Sequence, residues 1–140
     1  MKVGFTGSRM GMSDYQKEEL TKYLNRFYAE SQLSDPGAMF LHGDAIGADA
    51  EAAAIASELN YFIEAFPSNQ RIYRAFAAAD IVHTPVEPLR RNRLIVQQCE
   101  VLIACPSTST EIMRSGTWMT IRYARNRNCR LILIKPEGKS

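Results

Sequence analysis

Cysteine is scarce in this chain: Cys99, Cys105 and Cys129 are the only three in 140 residues. No two of them have metal-ligand spacing, and an odd number does not build a disulfide scaffold. Two lie in or beside apolar runs and read as small core side chains. No apolar run approaches the roughly 20 residues that a membrane-spanning helix needs. Net charge is nearly absent too. Seventeen basic and fifteen acidic residues leave a formal +2, which does not point to a general nucleic-acid binder. Two phosphate-binding signatures are missing: there is no Gly-x-Gly-x-x-Gly and no Gly-Lys-Ser/Thr. No repeat, low-complexity tract or domain boundary interrupts the chain. Met1-Lys2-Val3-Gly4-Phe5 runs straight into a strand without a secretory pattern. We therefore expect a single domain over residues 1–140, in a soluble, reducing, cytoplasmic setting without membrane contact.

What is present is alternation of short apolar strands and helices. Residues 2–6, 39–42, 61–65, 100–105 and 129–135 predict strands. Helices are predicted from Ser13 to about Ala29, from Ala48 onward, over 89–98 and over 116–127. Ser13 and Gln16 have the spacing of a reciprocal cap. Leu20, Tyr23, Leu24, Phe27 and Tyr28 fall on one helical face. In the second helix Ala48, Ala52, Ile55, Ala56 and Leu59 point inward, and small side chains let a helix approach a sheet closely. Ser34-Asp35-Pro36-Gly37 reads as a turn, and 137–140 as a frayed end. Residues 68–88 are the least regular. Ile72, Tyr73, Phe76 and Ala77 predict one short helix. Asp80-Ile81-Val82-His83 is either a small edge strand or part of the same helical segment. So long a connection is expected to cover a site or an oligomer contact. The alternation implies an α/β fold with right-handed crossovers. Its mainly parallel sheet, of about five to six strands, is covered on both faces in three layers.

In such a sheet, ligands bind beyond the carboxyl ends of the strands. Three polar loops are expected to converge there. Gly7-Ser8-Arg9 offers inward amides, a hydroxyl and a guanidinium to a phosphate or ribose; the alternative is a plain strand-to-helix turn. In Gly43-Asp44-Ala45-Ile46-Gly47-Ala48-Asp49, Asp44 or Asp49 can hold a ribose hydroxyl or base. Equally, Asp49 suits the positive end of the following helix. His42 ends a strand and reads as structural before catalytic. The strongest signal is Arg90-Arg91-Asn92-Arg93, three arginines at the mouth of an apolar helix. Such a cluster is costly to bury without anions, and a solvated turn is the other reading. Arg90 and Arg93 can share a face. Pro106 closes a strand and opens the loop to Ser115-Gly116-Thr117, a capped helix start suited to phosphate. Glu111 in that loop either holds a ribose hydroxyl, activates water at a ribose–base bond, or pairs with Arg114 at i+3. Glu111 and Asp44 are the candidate catalytic acids. Trp118 reads as a core or interface aromatic. No metal or cofactor is expected.

Arg91-Asn92-Arg93-Leu94-Ile95-Val96, Val101-Leu102-Ile103-Ala104, Ser115-Gly116-Thr117-Trp118-Met119-Thr120 and Ala124 resemble the core of the DprA/Smf DNA-processing family. Its Rossmann-like domain carries a similar arginine-asparagine-arginine segment and a similar serine-glycine-threonine helix start. Gly7-Ser8-Arg9 and residues 43–49 resemble its other two ligand loops. The same elements resemble the wider SLOG superfamily, which includes the LOG phosphoribohydrolases. The resemblance implies a Rossmann-like fold binding a nucleotide or nucleotide-derived molecule, with Arg91, Asn92 and Arg93 at phosphates. In some members the base–sugar bond is hydrolysed. The segment Pro106-Ser107-Thr108-Ser109-Thr110-Glu111 lacks the paired glycines of the LOG Pro-Gly-Gly-x-Gly-Thr-x-x-Glu loop. Single-stranded nucleic-acid binding, as in DprA, is the main alternative, and a structural or interaction domain is the third. By analogy with related folds, and from its aromatic residues between 61 and 76, a homodimer or higher homo-oligomer is expected.

Overall fold

The computed structural model describes residues 1–33 and 37–137. The first three residues of the turn expected at Ser34-Asp35-Pro36-Gly37 and the last three of the expected frayed end lie outside the described residues. The strands are β1 Lys2–Gly7, β2 Met39–His42, β3 Phe62–Ala65, β4 Ile81–Val82, β5 Val101–Cys105 and β6 Arg130–Leu133. The helices are α1 Asp14–Ser31, α2 Ala48–Glu58, α3 Pro88–Gln98 and α4 Gly116–Asn126. All six strands pair in parallel in the order β4-β3-β2-β1-β5-β6.

Alternation along the strands builds the two sides of the sheet. Val3, Phe5, Phe40, Ile63, Val101 and Ile103 pack with Leu20, Leu24 and Phe27 of α1 and with Ala48, Ala52 and Ala56 of α2. The intervening Met39, Leu41 and Leu102 pack on the other face with Ile95 and Val96 of α3 and Ala124 of α4. Both faces are therefore apolar, giving three layers. Truncating a fully buried side chain such as Leu24 to alanine should cost about 2–5 kcal/mol.

Local chemistry sets the helix starts. Ser13 and Gln16 cap each other reciprocally at the head of α1. The buried Gln16 amide also donates to the carbonyls of Pro106 at 2.7 Å and Ile134 at 2.8 Å. It thereby ties α1 to the loops leaving the two strands beyond β1. The alanine side of α2 allows close approach to β1. A Cβ added at Gly7 would lie 2.6 Å from that of Ala48.

Sheet order then locates the crevice. From β1 the chain steps outward through β2, β3 and β4, with α1 and α2 on one face. It crosses back by α3 to β5, on the far side of β1, and continues through α4 to β6. Because crossovers are right-handed, reversing direction puts α3 and α4 on the opposite face. The reversal lies between β1 and β5, where open parallel sheets bind ligands.

One element differs from expectation. The short helix expected around Ile72–Ala77 is a single 3-10 turn, Arg71–Tyr73. Ile72 is 81% exposed, so it does not anchor an inward face. The backbone beyond the turn bonds to Asp44 instead. Ala75 N–H donates to the Asp44 carbonyl at 2.8 Å, and Ala77 N–H to its carboxylate at 2.9 Å. These distant bonds replace the i to i−4 ladder. Of the two readings for 80–83, the edge strand is the one formed. Among the described residues, no helix is long and apolar enough to cross a membrane.

Candidate functional site

The loops leaving β1, β2 and β3, the start of α3 and the start of α4 surround one cleft of about 600 Å³. The first wall is the turn after β1. Ser8 Oγ accepts the Met10 amide at 3.1 Å, and the Ser8 carbonyl accepts the amides of Gly11 at 3.1 Å and Ala48 at 2.9 Å. The start of α2 is thus bound to the end of β1. Gly47 makes this approach feasible: its φ is +90°, and a Cβ there would lie 2.3 Å from the Arg9 carbonyl oxygen. Only glycine suits both demands.

The second wall is the loop between β2 and α2. Asp49 Oδ2 accepts the amides of Gly43 at 3.0 Å and Ala45 at 3.2 Å, folding the loop back on the helix start. Asp44 accepts Arg74 Nε at 2.8 Å as well as the Ala77 amide. Arg91, reaching in from α3, donates through Nη1 to the Gly43 carbonyl and, at 3.4 Å, to that of Phe66. Its Nε donates to Asn92 Oδ1 at 2.7 Å. Its Nη2 has no acceptor among the described residues.

This wall rests on a buried charged cluster. Desolvation raises the Asp49 carboxyl, while nearby His42 and Arg91 and the two amides pull it down. Desolvation lowers Arg91, against the pull of Asp49 and Asp44. Burial likewise lowers His42 and favours its neutral form. His42 Nδ1 accepts the Asp44 amide at 2.9 Å, so the ring proton sits on Nε2, which is buried without a partner among the described residues.

The third wall is the head of α4. Ser115 caps it, accepting the Trp118 amide on Oγ at 3.2 Å. The amides of Gly116 and Thr117 have no acceptor among the described residues. Nothing crowds Gly116: an added Cβ would meet no atom within 4 Å. Arg114 beside it makes no ion pair among the described residues. Arg9 lies 4.1 Å over the Tyr73 ring and likewise has no acidic partner among them. The lining carries Arg9, Arg74, Arg91 and Arg114 against Asp44 and Asp49. Asp44 is paired with Arg74, and the other three arginines outnumber Asp49, so the balance of the lining is positive.

Most residues singled out from the sequence come together here. Gly7, Ser8 and Arg9 line the cleft from the end of β1, Gly43 and Asp44 from the loop after β2, Asp49 from the first turn of α2, Arg91 and Asn92 from α3, and Ser115, Gly116 and Thr117 from the head of α4. Four do not. Gly47 lies behind the lining as a backbone hinge, and Pro106 is buried with its carbonyl on Gln16. Arg93 points away and lies 5.3 Å over the Tyr123 ring between α3 and α4. Residues two apart on a helix face opposite ways, so Arg91 and Arg93 cannot both enter. Glu111 is exposed outside the cleft and pairs at 2.7 Å with Arg122, not with Arg114. It sits in a loop before α4, where i+3 helical spacing does not apply. Ser68, Gln70, Tyr73, Arg74 and Arg114 also line the cleft. The first four lie in the irregular stretch, which has no periodicity to orient them. Among the described residues, no group of three or more His, Cys, Asp or Glu is placed to hold a metal ion.

The fold is similar to that of the molybdenum cofactor binding protein from the phototrophic bacterium Rippkaea orientalis. The TM-score is 0.70 at 18% identity, over 96% of this chain and 76% of that one. It is also similar to the structural-genomics target TM1055, with TM-score 0.64 and 15% identity over 95% and 73% of the two chains. For DNA processing protein A (DprA) from Streptococcus pneumoniae the TM-score is 0.64 and the identity 21%, over 94% of this chain and 49% of that one. This chain thus spans about half the length of DprA. At these identities the likeness is one of fold. No family model and no curated protein matches the chain.

Proposed function

We propose that the cleft binds a nucleotide or a nucleotide-derived small molecule. Two unsatisfied amides at the head of α4 face the same cleft as the Ser115 cap and the Arg91 and Arg114 guanidiniums. Free helix amides and cations together favour a phosphate. The phosphate sits at the head of α4, within reach of Ser8, and Arg91 neutralises it. Ser68, Gln70 and Tyr73 follow β3, three strand positions from β5, or roughly 14 Å at strand spacing. That length suits a ligand with a sugar and a base beyond its phosphate. The hydroxyl and amide groups of these three residues are suited to hydrogen-bonding them.

Binding has more support than hydrolysis. Of the two acids considered as catalysts, only Asp44 lines the cleft, and its carboxylate is held by Arg74 and Ala77. Hydrolysis of a base–ribose bond in this site would rest on Asp44 rather than Glu111. A thermal-shift screen over nucleotides, nucleotide sugars and molybdenum cofactor tests binding. A ligand at about 100 times its Kd stabilises the fold by about 2.7 kcal/mol. If no phosphate-bearing compound raises Tm, the reading fails. For any hit, base release lost in Asp44→Asn with affinity retained would assign catalysis.

Single-stranded nucleic acid is the second reading, favoured by arginine–aromatic pairs at the rim. Arg71 and Arg74 lie 5.1 and 4.2 Å over the exposed Phe76 ring. Stacking platforms flanked by arginine suit unpaired bases. Affinity falling steeply with salt would support it over the small-molecule reading. A homo-oligomer belongs to the same proposal, because Ile72, Phe76 and Met113 leave apolar surface exposed. Sedimentation of a lone monomer at micromolar concentration would remove that part.

A further inference from the structure

We propose that Cys99 and Cys129 are a modification site, joining as an intramolecular disulfide when the protein meets a low-molecular-weight disulfide such as oxidised glutathione. The two thiols lie close enough to act on one another, and each faces a carbonyl: Cys99 Sγ donates to that of Val96 at 3.6 Å and Cys129 Sγ to that of Arg130 at 3.5 Å. They hold equivalent places in the fold. Cys99 follows α3 and leads into β5; Cys129 follows α4 and leads into β6. The strands are neighbours, with Val101 opposite Arg130. Continuing that register back sets Cys129 opposite Glu100, one residue along from Cys99. Cys99 caps α3 and lies outside the strand pleat, so its side chain turns to the same face as that of Cys129, and neighbouring strands about 4.8 Å apart bring the two within disulfide range.

Both cysteines are already held in place. The Cys99 amide donates to Ile95 and the Cys129 amide to Ala124, each at 3.0 Å, so helix ends fix both backbones. Both side chains, like those of Leu94, Tyr123 and Leu131, pack against the core on the α3–α4 face. Gly4 makes room for the Cys99 sulfur: a Cβ on that glycine would lie 2.9 Å from both Cβ and Sγ of Cys99. Little freedom remains to be lost on bonding. Cys105 is fully buried against the opposite face and stays apart. The odd cysteine count thus resolves into one pair and one core residue.

The chemistry balances as two exchanges. Cys129, partly exposed, attacks one sulfur of the oxidant and expels a glutathione thiolate, which takes up the Cys129 proton. Burial pushes the Cys99 thiol up to about 12, so it remains a thiol until the mixed disulfide stands beside it. Its sulfur then attacks that of Cys129 and passes its proton to the second departing glutathione. Two thiols are oxidised and one small disulfide is reduced to two thiols. The bond lies at the amino edge of the sheet, away from the cleft. The ring it closes contains β5, the loop from Pro106 and α4, including the unsatisfied amides of Gly116 and Thr117.

The test treats the whole native chain with oxidised glutathione, then alkylates in denaturant and maps the peptides. The expected product has lost two hydrogen atoms, carries label only on Cys105, and yields a linked peptide pair holding Cys99 and Cys129. Its Tm should rise by roughly 5–10 °C, because the ring restricts the unfolded chain, and a thiol reductant should reverse the rise. Cys99→Ser should stop at a stable glutathione adduct on Cys129. Two findings would overturn the proposal: full alkylation of all three cysteines after treatment, or a wild-type chain that keeps glutathione on Cys129 with Cys99 free. Both are read on the native sequence, so they stand even if a variant misfolds.

Discussion

Gly43 leaves room for two side chains that define one wall of the cleft. A Cβ there would come within 2.5 Å of Arg91 Nη1 and 2.9 Å of Asp49 Oδ2. Gly43→Ala must push out one of them, breaking the Arg91 contact with the Gly43 carbonyl or the Asp49 cap of the loop. We expect a loss of about 1–3 kcal/mol in denaturant unfolding together with weaker ligand binding; unchanged values would mean the wall yields freely. His42 gives a pH signature. Its imidazole stays neutral in the folded protein, whereas the unfolded chain gains a proton below about 6.5. The folded state then binds fewer protons, so stability rises with pH in this range and falls as pH drops through about 6.5. His42→Asn keeps an acceptor at the Nδ1 position for the Asp44 amide and should flatten that limb, measured as denaturation midpoint against pH. Neither feature was legible in the sequence. His42 looked like any strand-ending histidine, and nothing in its neighbours showed that one ring nitrogen would be left bare.

Two glycines at helix starts carry opposite expectations. Gly47 precedes α2 with φ +90° and presses on the Arg9 backbone, whereas Gly116 opens α4 into empty space. Gly47→Ala should therefore destabilise by at least about 1–2 kcal/mol. Gly116→Ala should leave Tm unchanged or slightly higher, since alanine favours helix, yet reduce affinity by crowding the amides. Equal Tm losses in the two variants would contradict this division. Helix periodicity explains what the sequence revealed about these elements and what it did not. The Ser13–Gln16 cap and the small face of α2 could be read directly, since each depends on local spacing. The same periodicity separates Arg91 from Arg93, because two residues advance the helix by more than half a turn. The helix start at Pro88, not the count of arginines, decides which one enters.

At the scale of the molecule, alternating strands and helices announced a parallel three-layer sheet, and the sheet order places its reversal between β1 and β5. The Arg74 contribution stayed hidden because its ion pair with Asp44 spans 30 residues and an aperiodic segment. The net charge of +2 gave no hint of a positive cleft, which arises because arginines outnumber acids in its lining. Calorimetric titration of a nucleotide identified by thermal shift, into the wild type, Arg91→Ala and Arg93→Ala, shows whether the phosphate rests on the arginine that enters the cleft. Arg91→Ala should weaken binding by roughly 10- to 100-fold, the loss of a charge-assisted phosphate contact, while Arg93→Ala should bind like the wild type. Equal affinities in all three proteins, or a loss confined to Arg93→Ala, would contradict this assignment.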